Sequence, residues 1–128
     1  MTDARFEMYA VVPRTAARAR TDQLASVTWR LLSGNNRDLG RAATGFADPA
    51  ACLAAVQRLR EMLHSAVVTV GSPDGRGRWT WRVRLDDAEV AISSRAYQRR
   101  VQAEAACRVF LGLAVGARVT EDLRLVSW

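Results

Sequence analysis

WRVRLDDAEVAISSRAY at residues 81–97 follows the same pattern as WRLLSGNNRDLGRAATGF at residues 29–46. Each stretch begins with tryptophan and arginine and continues through an apolar position into a turn. A second short strand and a lone aromatic residue, Tyr97 in one stretch and Phe46 in the other, complete the pattern. Internal repetition of this kind identifies the structural unit of a fold. We therefore predict two copies of one strand–turn–strand unit.

The strands of both copies alternate between apolar and polar side chains. In the second copy Trp79, Trp81, Val83 and Leu85 alternate with Thr80, Arg82 and Arg84, and in the first copy Trp29 and Leu31 alternate with Thr28 and Arg30. A period of two is typical of a strand that buries one face and exposes the other. The pattern therefore predicts a sheet with the tryptophans on its core face and the arginines on its solvent face.

The turns of the two copies differ in composition. Gly34, Asn35 and Asn36 are residues that accept the positive φ angles of a tight hairpin. The second turn has no glycine, and for it we predict a type I turn built on Asp86 and Asp87.

Beyond each aromatic residue the apolar period changes from 2 to 3.6, which predicts a helix. Asp48 and Pro49 form a helix start, with an N-cap acceptor followed by a proline at the first helical position. The apolar stripes are Cys52, Val56, Leu59 and Leu63 on a helix over about 49–64, and Ala103, Cys107, Phe110 and Ala114 on a helix over about 100–115. A strand is predicted after each helix, AVVTV at 66–70 and ARV with LRLVSW near the C-terminus.

These elements predict an α+β protein in which two tandem β-β-(β)-α-β repeats form one antiparallel sheet, with two helices packed on one face. We assign residues 1–128 to a single compact domain, 27–72 to repeat 1 and 73–128 to repeat 2. Residues 1–26 are predicted to form an N-terminal strand and an arginine-rich loop. The strand is predicted from the alternation of Phe6, Met8 and Ala10 with Glu7, Tyr9 and Val11. Either it is an addition to the repeats, or it is the first strand of repeat 1, with RGRWTW at 76–81 as its equivalent in repeat 2.

The order of aromatic strand, turn, strand, lone Phe or Tyr and then helix resembles the YegP-like family of small prokaryotic proteins. The resemblance covers residues 27 to 127 and includes the Trp-Arg pairs at 29 and 81. It implies tandem β-β-β-α-β units in a single antiparallel sheet, with the closing strands exchanged between copies. DDAE at 86–89 departs from the glycine- or asparagine-containing turn usual in the family. Because the family has no established activity, the resemblance implies a fold and no chemistry.

The charge of the chain suggests where a ligand could bind. All 19 basic residues are arginines, against 13 acidic residues, and the formal net charge is +6. Such an excess attracts polyanions, although a modest net charge also keeps a protein in solution. We predict anion or nucleic-acid binding by two sets of arginines. Arg30, Arg82 and Arg84 lie on the predicted solvent face of the sheet, and Arg95, Arg99 and Arg100 lie at the start of the second helix, where backbone N–H groups attract anions.

The sequence carries few signs of catalysis, and we predict no catalytic residue, metal site or cofactor. The single histidine, His64, lies at the end of the first predicted helix, where a capping role is favoured over catalysis. Cys52 and Cys107 fall within apolar helical patterns, which favours buried free thiols over a disulfide or a metal site. GSPDGRGR at 71–78 is interpreted as a connecting loop, because it does not match a phosphate-binding loop.

No signal-peptide pattern and no apolar run of membrane-spanning length occurs in the sequence, so we expect a cytoplasmic protein with no membrane partner. The favoured hypothesis is a non-enzymatic interaction or structural module whose partner is another protein or a second copy of the chain. The alternative is a weak, sequence-independent nucleic-acid or phosphate binder that uses the arginine-lined sheet face. An enzyme is the least favoured of the three classes.

Overall fold

The computed structural model describes residues 3–12 and 26–127. Within these residues the chain forms seven strands and two α-helices. The strands are β1 (Arg5–Val12), β2 (Val27–Leu32), β3 (Asp38–Ala42), β4 (Val67–Gly71), β5 (Thr80–Leu85), β6 (Ala88–Ile92) and β7 (Arg118–Ser127), and the helices are α1 (Pro49–Met62) and α2 (Arg100–Ala114). The predicted α+β class is confirmed. The predicted arginine-rich loop lies outside the described residues.

The strands form one sheet in the order β4-β5-β6-β3-β2-β1-β7. Neighbouring strands are antiparallel except β1 and β7, which run parallel with Arg5 opposite Arg118. The prediction of a wholly antiparallel sheet is therefore wrong at this one pair. Parallel neighbours need a long crossover between them, and the chain from β2 to α2 supplies it.

The strands that follow the two helices pair differently. β4 follows α1 and pairs antiparallel with β5 of the second hairpin, whereas β7 follows α2 and pairs parallel with the N-terminal strand β1. The exchange of closing strands between tandem copies, which the family resemblance implies, stays a prediction. In the described part of the chain, no helix is long and apolar enough to cross a membrane.

β1 pairs with β2 in the same antiparallel arrangement in which β4 pairs with β5. Met8 is opposite Trp29 in the first pair of strands, and Val70 is opposite Trp81 in the second. The N-terminal strand is therefore the structural counterpart of β4. The suggestion that residues 76–81 supply this counterpart is wrong, because β5 begins only at Thr80 and β4 already occupies the place beside it.

The registers of the two halves also correspond at the centre of the sheet. Arg41 of β3 is opposite Ile92 of β6, and single bridges join Val27 to Phe46 and Trp79 to Tyr97. These pairings relate the two stretches that look alike in the sequence. That the halves arose as a tandem repeat stays a prediction.

The core lies between the sheet and the two helices. Seven of the eight predicted stripe residues are buried: Cys52, Val56, Leu59, Ala103, Cys107, Phe110 and Ala114. The eighth, Leu63, is half-buried, because α1 ends at Met62 and Leu63 begins a 3₁₀ turn. The Phe110 ring packs against both buried tryptophans, with its centroid 6.3 Å from Trp29 and 4.7 Å from Trp81. Gly40 lets this cluster close, because a Cβ there would lie 2.7 Å from both Phe110 and Trp81. The predicted burial of Trp29 and Trp81 is therefore confirmed, whereas Trp79 precedes β5 and is half-buried.

Both hairpin turns differ from the predicted ones. In the first turn only Asn36 has a positive φ, 67°, and Gly34 instead avoids a Cβ contact of 3.0 Å with Asp3. In the second turn Asp86 has a φ of 54°. A type I turn requires negative φ at both central positions, so the predicted type is wrong. Two-residue hairpin loops favour turns with a left-handed residue, a conformation that aspartate tolerates.

Candidate functional site

The sheet face opposite the two helices is open, since no helix of the described chain covers it. The strand registers place one row of residues across it, in the order Glu7, Arg30, Arg41, Ile92, Arg82 and Thr69. Neighbouring strands lie about 4.8 Å apart, so Arg30 and Arg41 are adjacent and Arg82 is about 10 Å beyond Arg41. Two of the predicted sheet arginines thus belong to one row.

Arg41 is the member of this row that the sequence did not reveal. It is exposed, and it forms no ion pair with any residue that the structure describes. β3 is only five residues long and its pairing with β2 shifts register after Leu31, so no alternation marks the face of Arg41. In the other half the equivalent residue is Ile92. Because Ile92 is apolar, a comparison of the two halves does not indicate an arginine on the open face at this position.

Arg30 is held by a buried carboxylate. Its Nη2 donates to Glu7 Oε1 at 2.9 Å, and its Cζ lies 5.2 Å from the ring centroid of Tyr9. Glu7 is only 4% exposed, and it also lies 3.7 Å from Arg5 and 3.8 Å from Arg124. One carboxylate is therefore shared among three guanidinium groups, which leaves this end of the face with an excess of positive charge.

Arg82 and Arg84 are oriented by neighbours while keeping unused donors. Arg82 Nη1 donates to both carboxylate oxygens of Glu89, at 2.9 and 3.1 Å. Arg84 Nη2 donates to the backbone carbonyl of Asp87 at 3.0 Å, a contact that leaves its charge uncompensated. Because a guanidinium has five N–H donors, each side chain can bind a further acceptor.

The three arginines predicted at the start of α2 have different surroundings. Arg100 pairs with Glu104 at 2.8 Å and lies over the Trp79 ring. Arg99 is the N-cap residue, and its backbone N–H donates to Gln102 Oε1 at 3.1 Å. Arg95 lies before the helix, and its Cζ is 5.1 Å from the ring centroid of Tyr97.

Of these three, Arg95 joins the open face. Together with Arg41 and Arg82 it lines a groove of about 260 Å³. The groove also includes Ile92 and the hydroxyl-bearing Thr80, Ser93 and Ser94. Guanidinium and hydroxyl groups from three separate elements therefore surround one space, and this combination suits the oxygens of an anion.

Solved structures identify the architecture. The solution NMR structure of YegP from E. coli, a protein of unknown function, matches with a TM-score of 0.60 at 10% sequence identity, over 95% of this chain and 93% of that one. A UPF0339 protein from Shewanella oneidensis matches with a TM-score of 0.61 at 6% identity, over 95% and 92% of the two chains. The chain has the YegP-like fold. No family model and no curated protein sequence matches it.

The YegP-like fold places the remaining reactive side chains away from this groove. His64 is exposed in a 3₁₀ turn, Leu63–Ser65, that follows α1. Cys52 and Cys107 are free thiols in the core, and burial raises the pKa of each to about 11. Among the residues described, no group of three or more His, Cys, Asp or Glu side chains could hold a metal ion.

Proposed function

We propose that the chain is a non-enzymatic, cytoplasmic interaction module whose open sheet face binds polyanions, nucleic acid in particular, without reading sequence. One observation carries the proposal. Arg41 is exposed and without an ion-pair partner in the described chain, it lies in one row with Arg30 and Arg82, and it shares a groove with Arg82 and Arg95.

The charge balance of the open face supports a polyanionic partner. Across β1 to β6 the registers place Arg5, Arg30, Arg41, Arg82 and Arg84 on this face, against the carboxylates of Glu7 and Glu89. Phosphate groups of a nucleic acid would meet several guanidinium groups at once. Such contacts release counterions from the nucleic acid, so the affinity should fall steeply as salt is added.

The side chains of the face favour contacts to phosphates over contacts to bases. Trp29 and Trp81 are buried in the core and cannot stack on bases. Tyr9 lies beneath the guanidinium of Arg30, which occupies its ring face. The described residues of this face thus provide no free aromatic platform and would hold a nucleic acid by its backbone, and backbone contacts carry no direct sequence information.

A binding role is also supported by the groups that the groove lacks. Among the residues that the structure describes, its lining contains no carboxylate, imidazole or thiol that could act as a base for the hydroxyl groups of Thr80, Ser93 and Ser94. The cytoplasmic assignment draws support from the two free, buried cysteines, since reduced thiols are usual in that compartment.

A fluorescence-anisotropy titration tests the proposal. Labelled short duplex and single-stranded oligonucleotides are titrated with the wild-type chain, Arg41→Glu and Arg108→Glu at low and at moderate salt. Arg108 is an exposed residue of α2, so its substitution changes the net charge equally on the helix side. We expect Arg41→Glu to weaken binding about tenfold and to lower the salt slope by about one, with Arg108→Glu close to wild type.

Two results would overturn the proposal. The absence of binding even at low salt would rule out a polyanion-binding role for the face. An equal loss of affinity in both variants would show that net charge alone attracts the oligonucleotide and that the open face is not the site.

A further inference from the structure

Each helix borders a groove, and the two grooves occupy corresponding places in the two halves. The α2 groove, about 340 Å³, is lined by Arg37, Asp38, Leu39, Arg95, Tyr97, Ala106 and Val109. The α1 groove, about 190 Å³, includes Glu89, Val90, Phe46, Ala55 and Arg58. Phe46 corresponds to Tyr97, since each forms the single bridge that follows its hairpin. Ala55 and Arg58 then correspond to Ala106 and Val109 by their distance from that aromatic residue.

The two grooves differ at the last of these positions. In the α1 groove, Arg58 Nη2 reaches across to Asp86 Oδ2 of the β5–β6 turn at 2.9 Å. In the α2 groove the same position is Val109, which is 49% exposed. An ion pair therefore joins helix and hairpin beside the α1 groove, whereas the α2 groove presents an apolar side chain to solvent.

The rim of the α2 groove carries positive charge. Arg37 and Arg95 are exposed and form no ion pair with any described residue. The carboxylate of Asp38 accepts a hydrogen bond from the Ser94 hydroxyl. Two guanidinium groups and one carboxylate thus border an apolar floor that includes Leu39 and Val109, and this charge balance favours an anionic ligand.

We propose that the α2 groove binds a small amphipathic carboxylate, with an aromatic or aliphatic body on Leu39, Ala106 and Val109 and its carboxylate at Arg37 and Arg95, the latter held over the Tyr97 ring. The volume is within the range of small-molecule sites, which combine an apolar lining with a few polar groups. This groove shares Arg95 with the open-face groove, but Arg37 and Val109 line only this one, whereas Arg41 and Arg82 line only the other. Each proposal is therefore tested at residues that the other does not use.

An NMR titration with 2-naphthoate tests the proposal, and the uncharged 2-naphthamide serves as the matched ligand. Amide shifts should change around Leu39 and Ala106 and stay small around Val90 and Ala55, their counterparts in the α1 groove. We expect naphthamide to bind about tenfold more weakly, because it lacks the charge that pairs with the arginines.

Two matched variants locate the site. Val109→Glu places a carboxylate on the apolar floor to which Val109 contributes, and Val101→Glu makes the same change at a 65% exposed position of α2 outside the groove. Val109→Glu should raise the Kd for naphthoate about tenfold, because it removes apolar surface and repels the ligand's carboxylate, while Val101→Glu leaves it within about twofold. Both positions are exposed, and the amide spectrum itself reports whether each variant is folded.

The proposal is overturned if naphthoate causes no shifts, if it shifts both grooves equally, if naphthamide binds as well, or if the two variants behave alike. Oligonucleotide binding by Val109→Glu should remain close to the wild-type level, because Val109 does not line the open-face groove. The two proposals can therefore fail separately.

Discussion

Arg30 and Arg41 lie directly opposite each other on neighbouring strands, on the sheet face that no described helix covers. Like charges at directly opposite positions destabilise a sheet. Arg30 is compensated by Glu7 at 2.9 Å, and Arg41 has no such partner among the described residues. The centre of the open face thus holds an unfavourable pair, as is common where a protein keeps charge for binding.

Replacement of Arg41 should separate stability from binding. In Arg41→Ala the repulsion with Arg30 is relieved, so the free energy of unfolding should stay level or rise by up to about 0.5 kcal/mol. Affinity for a duplex should fall in the same variant. Urea denaturation and anisotropy titration measure the two quantities, and a loss of more than about 1 kcal/mol would show that Arg41 is a structural residue.

Glu7 should matter far more to stability than Glu89, although each pairs with one arginine of the row. Glu7→Gln leaves the partly buried Arg30 without its carboxylate, so we expect a loss of about 2–4 kcal/mol. In the exposed Arg82–Glu89 pair, Glu89→Gln should cost less than about 1 kcal/mol. Urea denaturation of both variants provides the measurement. Equal effects would contradict the buried network described around Glu7.

Two glycine substitutions should have opposite signs. Gly40→Ala places a methyl group 2.7 Å from the buried rings of Phe110 and Trp81, and overpacking of this kind costs about 1–3 kcal/mol. Gly112 lies within α2 with nothing within 4 Å of an added Cβ, so Gly112→Ala should stabilise the protein by about 0.5–1 kcal/mol. Thermal melts of both variants and of the wild type show which substitution raises the melting temperature and which lowers it. A neutral Gly40→Ala would mean that the aromatic cluster has room to move.

The buried thiols should make stability fall at high pH. The pKa values of Cys52 and Cys107 are raised from 9.0 to about 11, so the folded protein holds these protons more tightly than the unfolded chain. Their contribution is complete below about pH 9 and is lost as the pH rises towards 11, with a slope of about 1.4 kcal/mol per pH unit for each thiol. Denaturation across this range should show a shallower slope in the Cys52→Ala/Cys107→Ala variant. Identical slopes would refute the assignment.

Self-association through β4 remains a prediction that can be tested at one residue. β4 is an edge strand without a single charged side chain, and Val67 and Val68 are 57% and 40% exposed. Unprotected edges pair readily with a second chain, and a lysine on the strand prevents this. Sedimentation should therefore show concentration-dependent dimers that are absent in Val67→Lys. A wild-type monomer at high concentration would rule out this interface.

The features predicted correctly from the sequence are those that depend on the spacing of apolar residues within a single strand or helix. The tryptophan strands and the helix stripe that ends at Ala114 were assigned to the core correctly, because spacing alone decides which side of an element is apolar. The conformation of the second turn is also predictable from the sequence. A two-residue hairpin loop favours turn types with a positive φ, and aspartate at position 86 is able to adopt that conformation.

The candidate site was only partly predictable because it depends on strand order. The carboxylate of Glu7 reaches Arg30 only because β1 and β2 are neighbours, and Arg95 meets Arg41 only because β6 lies beside β3. The periodicity of apolar residues within one segment does not specify which strands become neighbours in the sheet. The arginines at the start of α2 were grouped by sequence distance, whereas their surroundings depend on the strands and side chains that each one meets in space.

The parallel pairing of β1 with β7 also sets an order of events during synthesis. The Thr120 hydroxyl donates to the carbonyl of Phe6, a contact between residues 114 positions apart. A ribosome must therefore release nearly the whole of this chain before its first strand gains its outer neighbour. Until then the apolar side chains of β1 lack part of their cover, and contacts this distant in sequence form slowly. We expect the newly made chain to depend most on chaperones during that interval.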